Sequence, residues 1–121
     1  DLAGVEIPST FQGLSLRNLF DGDDGWPRED IFVTYHGNQF GLYTQRMIRD
    51  RRWKYVWNAT AEDELYDLER DSGEIVNLAT DPRFRDVLAR MRRRLVAWME
   101  EVGDPILNSW TRPQLLEGLT I

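Results

Sequence analysis

His36, Gln45, Arg46 and Lys54 are the side chains in this 121-residue sequence best placed by type to meet an anion. Arg46 carries a planar guanidinium fork that matches a sulfate, phosphate or carboxylate. It sits in the run LYTQRMIRD, where a strand would leave the fork exposed. His36 ends the run IFVTYH immediately before a glycine, a position that often displays functional groups. It reads equally well as a loop-capping residue, and taken alone Arg46 and Lys54 read better as surface strand charges than as anion contacts. The rest of the reactive repertoire is thin. There is no cysteine, and one histidine cannot build a multi-histidine metal site. No serine lies in G-x-S-x-G or S-x-x-K, and there is no glycine-rich phosphate loop. Asp21, Asp23 and Asp24 lack the full ligand pattern of a calcium loop and read as an acidic linker. Glu62, Asp63, Glu64, Asp67 and Glu69 are carboxylates without a visible pocket. Arg90, Arg92, Arg93 and Arg94 fall on the side and back of a helix, with Asp86 four residues before Arg90, and read as a solvated face.

These side chains must be positioned by a small set of elements. IFVTYH (31–36) is β-branched and aromatic, as strands are. LYTQRMIRD (42–50) and RRWKYVWN (51–58) form a predicted hairpin turning at Asp50-Arg51. Alternation puts Thr44, Arg46 and Ile48 on one face and Tyr43, Gln45 and Met47 on the other. Trp53, Tyr55 and Trp57 likewise share a face. ELYDL (64–68) supplies a fourth strand. Asp81 is a suitable N-cap and Pro82 a suitable first helical residue. From there Phe84, Val87, Leu88, Met91, Leu95, Trp98, Met99 and Val102 keep a three-and-four spacing until Gly103 stops the helix. The predicted fold is α+β, a small antiparallel sheet of about four strands packed against one long C-terminal helix. The opening Leu2-Ala3-Gly4 reads as the last turn of a helix whose body precedes Asp1, so the chain is expected to be part of something longer.

Composition narrows the function classes. Fifteen basic against twenty-one acidic residues give a net charge of -6, which argues against a nucleic-acid binder. No apolar run approaches the roughly 20 residues of a membrane-spanning helix. With 41% hydrophobic and 30% charged residues, the chain is expected to fold around one core.

YTQRMIRDRRWKYVWN, then DELYDLERDSGEIVNLATDP, then a helix ending in GDP, together resemble the C-terminal subdomain of sulfatases, in the alkaline phosphatase-like superfamily. The opening DLAGVEIPSTFQGLSLRNLF resembles the segment that precedes this subdomain. The likeness runs from residue 1 to about 105. It implies that residues 1–25 end the large sulfatase domain, 26–105 are the subdomain, and 106–121 form a tail packing on the parent domain. Arg51 departs from relatives that often place glycine after the aspartate, where a tight turn prefers positive φ. The resemblance implies a parent that hydrolyses sulfuric esters with a formylglycine and a calcium ion. None of those motif residues matches here, so no catalytic residue, metal ligand or cofactor is expected in this segment. The implied partners are the N-terminal catalytic domain of the same chain and a sulfated small molecule or carbohydrate. His36, Gln45 and Arg46 are the implied substrate-pocket residues. Two alternatives stay open: a phosphonate monoester hydrolase or phosphodiesterase of the same superfamily, and a non-catalytic domain binding an anionic carbohydrate.

Overall fold

The computed structural model describes residues 2–22, 25, 27–37 and 43–118. A short helix α1 (Arg17–Phe20) precedes four strands, β1 (Ile31–Tyr35), β2 (Gln45–Arg49), β3 (Trp53–Asn58) and β4 (Glu64–Asp67). A 3-10 turn at Pro82–Phe84 leads into the long helix α2 (Arg85–Glu101), and α3 (Thr111–Glu117) follows. The strands pair antiparallel in the order β1-β2-β3-β4. The α+β fold read from the sequence is the fold observed.

Alternation decides what each strand buries. Ile48, Tyr55 and Leu65 face one another across β2, β3 and β4, and all three are fully buried. Above them α2 lays Leu88, Met91, Leu95, Val96 and Met99, a three-and-four stripe that falls on one side of a helix. At the edges of this core Phe32 of β1 stacks on Trp98 of α2, with ring centroids 4.7 Å apart. Trp53 of β3 meets Phe84 at 5.7 Å. The helix start is built as its residues dictate, since the Asp81 carboxylate accepts a hydrogen bond from the Arg83 N–H at 2.9 Å and Pro82 occupies the first turn.

The β2–β3 turn solves the problem posed by Arg51 without glycine. Among the described residues Glu74 is the one non-glycine with positive φ, so Arg51 does not take the left-handed conformation. Instead Asp50 Oδ1 accepts from the backbone N–H groups of Arg52 (2.8 Å) and Trp53 (2.6 Å), while Arg90 of α2 reaches its other oxygen at 3.1 Å. A side chain has taken over hydrogen bonds that a glycine turn would have left to the backbone. Asp50→Ala is therefore expected to cost about 1–2 kcal/mol by urea denaturation. Arg51→Gly should bring no stabilisation, and a stabilising Arg51→Gly would show that the turn is strained after all.

The described part of residues 106–121 packs on this chain's own core. Leu115 of α3 is fully buried, and Ile106, Leu107 and Leu116 pack against the same cluster as α2. Asn108 Oδ1 accepts from the N–H groups of Trp110 and Thr111, and Gly118 ends α3 with φ 71°. The physical reason is that α3 is short but presents its apolar residues to a stripe of α2 the sheet does not cover. Among the described residues of this stretch Trp110 is the one large apolar side chain that is exposed, 78% accessible. The opening segment behaves otherwise. Leu2, Val5, Ile7, Phe11, Leu14, Leu16, Leu19 and Phe20 are all exposed, and α1 buries nothing.

Candidate functional site

Arg46 lies at the start of β2 on the face turned toward α2. Contrary to the exposed fork expected of it, its side chain is 0% accessible. Its Nε and Nη2 donate to the two carboxylate oxygens of Asp104, at 2.6 and 3.0 Å. Its Nη1 donates to the backbone carbonyls of Gln45 (2.8 Å) and Tyr35 (3.4 Å), residues that pair in register across β1 and β2. Each of the three guanidinium nitrogens is thus hydrogen-bonded from within. Asp104 follows Gly103, whose φ of 65° turns the chain back at the end of α2. Burial alone would raise the Asp104 carboxyl, but Arg46 and the Ile106 N–H that it accepts outweigh burial and hold it below the usual carboxylate range.

His36 leaves the end of β1 one residue beyond Tyr35 and is exposed. It lines an open cavity of about 370 Å³ together with Gln12, Thr34, Trp98 and Gly103, and the Arg46–Asp104 pair forms its wall. A wider groove of about 730 Å³ adjoins it past Phe32 and Trp98 and runs toward Arg28 and Arg94. Arg28 Nη2 ties the opening segment to this rim through the Gln12 carbonyl at 2.7 Å, and Arg94 pairs with Asp30 at 2.6 Å. Gln45 does not join them. Its amide donates to Asn58 Oδ1 on β3 at 2.5 Å, and alternation sends it to the sheet face opposite Arg46. Of the three expected pocket residues, the structure brings His36 and Arg46 to one cavity and leaves Gln45 on the other side. Asp23, Asp24 and the loop residues 38–41 after His36 lie outside the described residues.

Two participants were missed from the sequence. Asp104 carried no signal beyond the GDP end of the helix, since its partner lies 58 residues away. Arg92 was assigned to a solvated face. It is instead half-buried, donating to the Tyr55 hydroxyl (3.2 Å) and to Asp63 Oδ2 (2.7 Å), which also accepts from Tyr55. Burial, with Asp63 beside it, pushes the Tyr55 phenol well above its ordinary range. Lys54 is tied to Glu74.

The model of the C-terminal part of N-sulphoglucosamine sulphohydrolase matches residues 1–101. The chain belongs to that family. It is 52% identical over 99 residues to the human N-sulphoglucosamine sulphohydrolase, covering 82% of this chain and 15% of the human one. It is 34% identical over 98 residues to a Delta 4,5-hexuronate-2-O-sulfatase of Bacteroides thetaiotaomicron, covering 78% of this chain and 20% of that one. The solved structure of a 2-O GAG sulfatase superposes with a TM-score of 0.73 at 28% identity, covering 95% of this chain and 26% of that one. The chain therefore spans a fifth or less of the length of both named sulfatase relatives. As a member of this C-terminal sulfatase family it carries a meander sheet and helix whose cavity-lining groups include one histidine. Among the described residues no three His, Cys, Asp or Glu side chains converge as a metal ion requires. Among the described residues no helix is long and apolar enough to cross a membrane.

Proposed function

We propose that this chain is the C-terminal portion of a sulfatase-type hydrolase whose complete form cleaves sulfuric esters of a small molecule or carbohydrate. The family match over residues 1–101 carries this reading. In it the segment completes the fold of the parent and lines its substrate cleft, and the nucleophile and metal ligands belong to the N-terminal catalytic domain. The formylglycine and calcium of such an enzyme would be supplied there. The run of eight exposed apolar side chains between Leu2 and Phe20 supports a neighbour of this kind, because a surface of that size is unusual without a partner. His36 is the residue we assign to the substrate. It is exposed at a cavity mouth, and its ring N–H suits an ester sulfate oxygen. Arg46 cannot serve directly while Asp104 and two carbonyls hold every one of its named donors.

The test is turnover by the full-length gene product of 4-nitrophenyl sulfate and N-sulphoglucosamine against 4-nitrophenyl phosphate and phosphonate esters. Sulfuric-ester or N-sulfate cleavage is the expected result, with none from residues 1–121 alone. His36→Ala should raise KM for the favoured substrate about tenfold, the loss of one charge-assisted hydrogen bond. Preference for the phosphorus esters would replace the sulfatase reading.

A further inference from the structure

We propose that Arg46 and Asp104 are a positioning pair for His36, setting where its ring stands at the cavity mouth; this rests on the assignment of His36 to the substrate. Three chain segments meet around that cavity: the end of β1, the start of β2 and the turn after α2. One guanidinium ties all three. Through Nη1 it holds the carbonyls of Tyr35 and Gln45, the last paired residues of β1 and β2, and Tyr35 is the residue from which His36 departs. Through Nε and Nη2 it holds Asp104, immediately after the left-handed Gly103 that borders the same cavity. Asp104 is fixed in turn, because Oδ1 also accepts from the Ile106 N–H at 3.1 Å. The strand end that carries His36 is thereby referred to the end of α2 and not left to the sheet edge, where β1 has no outer neighbour among the described residues. Only a planar fork can reach a carboxylate and two carbonyls together, so lysine would keep the charge and lose the geometry. A buried pair of this kind also excludes the alternative in which the fork turns outward, since that would leave Asp104 buried without its partner.

The experiment uses the full-length enzyme, with 4-nitrophenyl sulfate or N-sulphoglucosamine as the probe, and six proteins: wild type, Arg46→Lys, Asp104→Glu, His36→Ala, and His36→Ala combined with each of the other two. Each is measured for KM, kcat and melting temperature. Arg46→Lys and Asp104→Glu keep both charges and are expected to fold. Each should raise KM about fivefold with kcat changed less than twofold, and adding Arg46→Lys to His36→Ala should raise KM no further. That lack of additivity is what a merely structural role would not produce. Lower melting temperatures with wild-type KM in both charge-conserving variants, while His36→Ala still raises KM, would overturn the positioning role and leave the substrate role of His36 standing. An unchanged KM in His36→Ala would overturn the assignment of His36 itself, and the positioning role with it. Should Arg46→Lys fail to fold, Asp104→Glu carries the same comparison.

Discussion

Arg46→Met should destabilise the chain by about 3–5 kcal/mol at neutral pH, more than any change at the exposed arginines. Methionine fills a similar volume, so the loss is not mainly a cavity. It leaves the Asp104 carboxylate buried and unpaired, with two strand-end carbonyls short of a donor. The pH dependence distinguishes this cause from simple loss of packing. In the intact chain Asp104 is held below its ordinary carboxylate range, so its pairing stabilises the fold above the unfolded value near pH 4. That contribution is lost as pH falls through the lower folded value. Without Arg46, burial is opposed chiefly by the Ile106 N–H, and the folded value rises above that of the intact chain. Protonation then costs the variant less than it costs the intact chain, and the deficit of Arg46→Met should narrow on acidification toward pH 4. Urea denaturation of both proteins at pH 7 and pH 4.5 measures this. A deficit that stays constant across that range would mean that the cost is steric and that the ion pair contributes little. Replacing both partners, Arg46→Met with Asp104→Leu, should recover part of the loss, because it removes the orphaned charge.

The second large effect is expected at the other end of the chain. Leu115→Ala should cost about 2–5 kcal/mol, the range for truncating a fully buried leucine. Trp110→Ala, five residues earlier and largely exposed, should change stability by less than about 0.5 kcal/mol. The contrast tests whether α3 belongs to this core. If Leu115→Ala were as mild as Trp110→Ala, the tail would be a loosely held segment and the parent domain its true packing partner. Deletion of α3 would then leave the melting transition where it was.

Periodicity and local chemistry made much of this molecule legible before any coordinates. Strand alternation placed Trp53, Tyr55 and Trp57 beneath the helix, because successive side chains in extended backbone must point to opposite faces. The three-and-four spacing from Phe84 to Val102 fixed both the length of α2 and its buried side, and Asp81-Pro82 and Gly103 marked its ends through capping. The ordered motifs from YTQRMIRD to NLATDP also carried the family, since they combine turns, caps and core residues at set separations. These are all consequences of neighbours within a few positions.

What escaped was whatever depends on residues far apart in sequence. Alternation could say that Arg46 and Gln45 face opposite ways, but not that the face of Arg46 is closed by a carboxylate 58 positions later. A strand arginine beside solvent and one beneath a helix end look alike until the end of α2 is brought over the sheet. Arg92 was misread for the same reason. Its angle on the helix was right, but the β3–β4 turn rises high enough to put Asp63 and the Tyr55 hydroxyl within its reach. The tail lacked a period because α3 is only seven residues long, too short for a repeat to register, and its burial depends on a gap that only the packed α2 creates. The sequence by itself determined the family, the order of the four strands and α2, and the core faces of β3 and α2, because those follow from backbone period and local hydrogen bonding. Only the tertiary structure decided which charges are consumed in pairs and that His36 stays exposed at a cavity, because Coulomb attraction and desolvation depend on distance in space and not on separation along the chain.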